Sequence, residues 1–201
     1  MRRTPSRPRG STHNPKPAAV VLLSGGLDSA ACIAFYRAQA FALDAIFFNY
    51  GQAALDQERK ASRRVAAHFG IGLQEIQLRG LAKKHAGEVR GRNAVFMVTA
   101  LMEHPIAQGL IVMGIHAGSP YYDCTPAFLA GVQILFDGYT DGRIKATAPF
   151  IRMTKEEVWR YGHNAGLAMD ITYSCERGGK RPCGRCVSCQ DRRRLDAMSH
   201  Y

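Results

Sequence analysis

From Ala18 onward, short apolar runs alternate with amphipathic stretches. Residues 18–23 are a continuous apolar run, as expected of a strand covered on both faces. Residues 29–39 place Ala30, Ile33, Ala34 and Arg37 at helical spacing. A second buried strand is predicted over 43–48, and a helix over 56–69 that stops at Gly70, a C-cap signal. Residues 73–78 alternate like a third strand, 93–108 read as a helix stopping at Gly109, and 110–113 as a fourth strand. A further helix is predicted over 126–136. Thr154-Lys155-Glu156-Glu157 is a capping box that starts another, running to about Ala165. Strand and helix in alternation, joined by short connections, predict an α/β fold with a doubly wound parallel sheet.

Length and charge set the domain plan. The 201 residues are 46% hydrophobic and 21% charged, the ordinary globular range. The longest clean apolar run falls far short of the ~20 residues of a membrane span, so a soluble, cytoplasmic protein with no membrane partner is expected. The net charge of +11 is concentrated at the ends. Residues 1–17 hold Arg2, Arg3, Arg7, Arg9 and Lys16, no acid, and four of the nine prolines, which predicts a disordered basic tail. Such a tail either holds nucleic acid electrostatically or is merely solvated. Residues 18–171 then form the main domain, and 172–201 a C-terminal segment holding four of the six cysteines.

Ser24-Gly25-Gly26-Leu27-Asp28-Ser29 lies where the first strand gives way to its helix, at the carboxyl ends of the strands, where open α/β sheets bind ligands. Two glycines let backbone approach an anion, and the helix directs free N–H groups at it. A carboxylate at Asp28 beside phosphates makes sense if it holds Mg²⁺. The segment reads as a nucleotide phosphate site with metal; the plain alternative is a tight turn with a cap. No Walker loop and no Gly-x-Gly-x-x-Gly fingerprint occurs.

Cys175, Cys183, Cys186 and Cys189 follow a C-x7-C-x2-C-x2-C spacing. Four thiolates this close can surround one tetrahedral ion. A structural Zn²⁺ is the default, with an iron–sulfur cluster as the sharper alternative and disulfides disfavoured in an intracellular chain. The segment is polar, so the metal supplies its folding energy, about 10–16 kcal/mol in small zinc peptides. Cys32 is expected in the core, and His116 is the one histidine expected to face the pocket.

The Ser-Gly-Gly-Leu-Asp-Ser loop resembles that of the N-type ATP pyrophosphatases, the PP-loop enzymes. With the cysteine pattern, Phe48-Asn49-Tyr50-Gly51-Gln52, Gly91-Arg92-Asn93 and Tyr122-Asp123-Cys124, the chain resembles the 7-cyano-7-deazaguanine synthase family of queuosine biosynthesis over roughly 18–195. The resemblance implies an adenine nucleotide alpha hydrolase-like, Rossmann-like fold with a C-terminal zinc knuckle, and a homodimer. It implies an ATP- and Mg²⁺-dependent ligase that adenylates 7-carboxy-7-deazaguanine and converts it with ammonia to amide and nitrile. Asp28, Ser29, Arg92 and Asn93 would then be catalytic. Leu22, Leu23, Ser24, Gly25, Gly26, Leu27, Asp28, Ser29, Ala30, Phe48, Asn49, Tyr50 and Gly114 would line the nucleotide, and the four cysteines would hold zinc. The stretch from Gly114 to Thr125 departs from the family pattern, with Tyr122 and Thr125 where it has Pro and Arg.

Competing readings are a relative, acting in antiviral defence, that joins a deazapurine to another amine or a macromolecule; a tRNA thiolase; and a non-catalytic nucleotide-binding module.

Overall fold

The computed structural model describes residues 16–80 and 89–198. Five parallel strands form one sheet in the order β3-β2-β1-β4-β5: β1 (Ala18–Leu22), β2 (Ala42–Asn49), β3 (Gly72–Gln77), β4 (Gly109–Met113) and β5 (Ile144–Thr147). Helices α1 (Leu27–Ala38), α2 (Leu55–Phe69), α3 (Arg92–Glu103), α4 (Pro126–Thr140), α5 (Lys155–Asn164) and α6 (Val187–Ala197) cover it. The expected doubly wound parallel α/β sheet is what forms.

Alternation along β1 explains the layering. Ala19, Val21 and Leu23 face a core shared with Ile33 of α1, Val65 of α2, Trp159 of α5 and Leu195 of α6. Val20 and Leu22 face the opposite core, with Met97 of α3 and Phe128, Val132 and Phe136 of α4. Each such fully buried side chain contributes about 1.5–3 kcal/mol, which is why a continuous apolar run makes the central strand.

Several boundaries differ from expectation. The helix predicted over 93–108 ends at Glu103, because Pro105 pushes His104 out of the helical region, to φ −94° and ψ 131°. Gly109 therefore opens β4 rather than capping a helix. Strand β5 was not anticipated: its four residues are short and only half apolar. Helix α6 was not anticipated either, since its surface is almost wholly polar and only Cys189 and Leu195 are buried. Pro17, assigned to the tail, already accepts a hydrogen bond from Ala42 (2.9 Å). The expected disorder of the tail falls otherwise on residues 1–15, outside the described residues. Cys32 is fully buried, as expected.

The chain builds outward from β1 to β3, then crosses back to β4 on the other side. The carboxyl ends of β1 and β4 flank this reversal, the crevice where such sheets bind ligands. No helix among the described residues is long and apolar enough to cross a membrane.

Candidate active site and metal centre

The glycine-rich turn occupies that crevice. Gly25 has φ +79°, and a Cβ there would lie 2.6–2.8 Å from Ser62 N, the Ala61 side chain and the Glu58 carbonyl, so no side chain fits. Helix α1 begins at Leu27 with Gly26 as N-cap and no side-chain cap, leaving its first N–H groups open to an anion. The Ser24 and Ser29 hydroxyls stand 3.2 Å apart, and Ser29 Oγ donates to the Gly26 carbonyl (3.1 Å). Leu22, Leu23, Leu27 and Ala30 point into the cores; toward a ligand they offer backbone alone. A Cβ on Gly114 would strike Ser29 N at 2.6 Å, so the end of β4 packs directly on the first turn of α1.

Asp28 lies in that first turn. One carboxylate oxygen is ion-paired with Lys155 Nζ, and the other is buried without a partner among the described residues. Lys155 was missed by sequence reasoning, which read the capping box at Thr154 only as a helix start. The box is present, with Thr154 Oγ1 accepting from Glu157 N (3.2 Å), and it sets Lys155 on the first turn of α5, against Asp28. The orphaned oxygen fits a cation such as Mg²⁺, while the ammonium offsets the charge of Asp28.

Across the crevice, Asn93 is buried and bridges two groups: its Nδ2 donates to the Asp123 carbonyl (3.1 Å), and its Oδ1 accepts from Arg92 Nε (3.2 Å). Arg92 also reaches the Tyr50 hydroxyl (3.5 Å) and lies over the Phe96 ring. Phe48 stacks on Phe96 at 4.3 Å. The Phe48–Tyr50 backbone is already engaged: Gln52 Nε2 donates to the Phe48 carbonyl (3.0 Å), Leu78 N to the Asn49 carbonyl (2.8 Å), and Tyr50 N to Gln52 Oε1 (3.0 Å). Each carbonyl keeps one lone pair for a second donor. Gln52 also donates to Glu58 Oε2 (2.9 Å), and Ser62 Oγ lies within hydrogen-bond reach of both the Leu23 and Glu58 carbonyls. Glu58 and Ser62 carry no motif of their own. Cys124 is half-buried near Asp123, and burial pushes its thiol up. His116 lies just beyond β4, with Nδ1 2.6 Å from the Ala117 carbonyl.

The four cysteines converge. The sulfurs of Cys175, Cys183, Cys186 and Cys189 all lie within 4.8 Å of one another, against an ideal of ~3.8 Å for a tetrahedron with ~2.3 Å Zn–S bonds. Backbone N–H groups of Arg185 and Cys186 point at the Cys183 sulfur (3.5 and 3.4 Å) and bring its thiol down to about 6. These are donors suited to a thiolate ligand, so the residues present fit a metal ion. The knuckle touches the turn: Tyr173 N donates to the Gly25 carbonyl (2.9 Å).

Fold and site together define a doubly wound α/β protein with a glycine-rich crevice and a four-cysteine cluster able to hold a metal ion. The chain matches the family model "Queuosine biosynthesis protein QueC" over residues 18–89 and 84–200. It is 33% identical to the 7-cyano-7-deazaguanine synthase of Frankia casuarinae, covering 94% of each chain. Among solved structures it is similar in fold to an NMN synthetase from Francisella tularensis (TM-score 0.52, 14% identity, covering 91% of this chain and 78% of that one). It also resembles the U34-tRNA thiolase of Methanococcus maripaludis, solved with its [4Fe-4S] cluster (TM-score 0.52, 15% identity, covering 93% and 66%). The chain belongs to the QueC family of queuosine biosynthesis proteins.

Proposed function

We propose that the chain is an ATP-dependent C–N ligase that adenylates the carboxylate of 7-carboxy-7-deazaguanine and, with ammonia, converts it to amide and nitrile. The observation that carries this reading is the uncapped N-terminus of α1 beside Ser24, Ser29 and the half-paired carboxylate of Asp28, in a chain whose relatives are named 7-cyano-7-deazaguanine synthases.

The backbone N–H groups at Gly26–Ser29 and the two hydroxyls bind the phosphates. Asp28, through its orphaned oxygen, would hold Mg²⁺, which supplies neutralisation of phosphate charge when bound. Lys155 balances Asp28 while the crevice is empty and turns to the phosphates when they enter. Attack of a carboxylate oxygen on the α-phosphorus joins two anions, so a cation must stand at the junction. Arg92 fills that role, and Asn93, clamped to the Asp123 carbonyl, positions it. The faces of Phe48, Tyr50 and Phe96 form an aromatic wall beside it.

The four cysteines hold a structural zinc in this reading. A purified protein that absorbs in the visible region would instead carry an iron–sulfur cluster and favour a thiolase. For the homodimer, the exposed apolar residues Val95 and Met102 of α3 and Ile134, Leu135 and Tyr139 of α4 supply the contact face. Ile134→Asp is then expected to yield monomer on size exclusion.

The deciding experiment gives the full chain ATP, Mg²⁺ and 7-carboxy-7-deazaguanine. AMP and pyrophosphate should appear only when the acid is present, and mass spectrometry should find the free nitrile. A product joined to a second molecule favours the conjugating reading, and no AMP from folded, metal-loaded protein overturns the ligase.

A further inference from the structure

Glu58 is a carboxylate that the phosphate-binding reading does not use. It stands half-buried in the first turn of α2, where desolvation disfavours the charged form. Its backbone carbonyl lies against Gly25 and within reach of Ser62 Oγ (2.9 Å). One carboxylate oxygen, Oε2, accepts from Gln52 Nε2 (2.9 Å), and Oε1 accepts no hydrogen bond among the described residues. Gln52 is itself locked: it bonds the Phe48 carbonyl through Nε2 and Tyr50 N through Oε1, so the orientation of its amide is set by three partners. The charged and titratable groups facing Glu58 are the Arg92 guanidinium and the Tyr50 and Tyr173 hydroxyls. A glutamine at 58 would satisfy Gln52 equally well at lower desolvation cost, so the second carboxylate oxygen is free for chemistry that an amide cannot do.

We propose that Glu58 is the proton acceptor for the nitrogen nucleophile in the amidation step, held in place by Gln52. The inference rests on the ligase reading above. Ammonia forms the C–N bond at the carbonyl carbon of the acyl adenylate, and the extra proton on nitrogen passes to Glu58 Oε1. The C–O bond to phosphate then breaks, with its electron pair leaving on AMP. Burial supports the role: it pushes the Glu58 carboxyl upward, against the opposing pull of the Gln52 hydrogen bond and Arg92, toward the range in which an acid–base group works near neutrality.

The test is Glu58→Gln in the full chain with ATP, Mg²⁺ and 7-carboxy-7-deazaguanine, using ammonia or hydroxylamine as nucleophile. The hydroxylamine adduct is acidic enough to lose its proton to water. Amide formation from ammonia should fall by about 10²- to 10⁴-fold, whereas hydroxamate formation, and the pyrophosphate released with it, should stay within roughly threefold. Glu58→Asp keeps the base but shortens its reach to Gln52; it should retain more ammonia-dependent activity than Glu58→Gln and keep the acid limb of the pH profile that Glu58→Gln loses. A purely structural Glu58 gives the reverse ranking. Parallel losses with both nucleophiles, or no loss with either, overturn the proposal. Wild-type protein that releases no pyrophosphate with either nucleophile overturns the ligase reading, and this inference with it.

Discussion

The turn at Ser24–Ser29 and the knuckle at Cys175–Cys189 are joined through the residue just ahead of the knuckle, Tyr173 N donating to the Gly25 carbonyl, yet different forces hold them. The turn is bracketed by Leu23 and Leu27, at 1% and 3% exposure, and continues into an α1 whose inner face is fully buried. Apolar burial pre-forms it, helped by the Ser29–Gly26 hydrogen bond. Within the knuckle, Arg177, Lys180, Arg181 and Arg185 are exposed, and of its residues only Cys175 and Cys189 are buried. Among the described residues little apolar surface gathers those sulfurs, and a metal ion would supply the energy that holds them together. The knuckle is nonetheless tied to the body: Leu195 enters the main core, and Gly178 packs so close to Ala53 that a Cβ would lie 2.1 Å from its carbonyl. These contacts link the two regions reciprocally: whatever loosens Tyr173 and Gly178 also loosens the turn at Gly25, and the reverse.

The sharpest way to break this contrast is Cys186→Ser. It should abolish metal binding by elemental analysis and expose residues 172–198 to protease, while the sheet remains folded by circular dichroism. ATP affinity should fall roughly two- to tenfold, the worth of a single hydrogen bond at about 0.5–1.5 kcal/mol. ATP affinity unchanged in the metal-free variant would mean that the two regions are independent.

Gly25→Ala probes the turn from its own side. With φ +79° and backbone at 2.6 Å, the methyl group should cost about 1–3 kcal/mol. Thermal denaturation should fall by roughly 2–4 °C per kcal/mol, and calorimetry should show ATP binding lost with the metal still present.

The smallest effect on stability comes from Glu58. Its carboxyl is raised above the ordinary 4.5 by burial, so between that value and the raised one the folded protein keeps a proton that the unfolded chain has released. Stability therefore falls as pH rises through this window. Glu58→Gln should melt a few degrees higher than wild type at pH 8, and the gain should vanish near pH 4. A variant less stable than wild type at pH 8 would show that the carboxylate stabilises the fold.

Local patterns made much of this legible. The apolar run at Ala18–Leu22, the glycines at 25 and 26 and the cysteine spacing each carry their meaning within a few residues. Strand β5 and helix α6 did not, because four half-apolar residues and an Arg-rich helix become elements only when a neighbouring strand or a core pocket accepts them. Pro105 was legible in principle, and its effect on His104 corrects the helix end. Lys155 and Glu58 lie 127 and 30 residues from Asp28, and no spacing rule links such positions.

The order of residues by itself determined the alternation of strand and helix, the glycine-rich turn and the spacing of the four cysteines, since each depends on backbone preference and side-chain period within one segment. Only the tertiary structure decided that Lys155 neutralises Asp28, that Asn93 clamps Arg92, and that the knuckle leans on Gly25. Those contacts depend on which segments the sheet order brings side by side, and hydrogen bonds and ion pairs act only over the few ångströms that such packing closes.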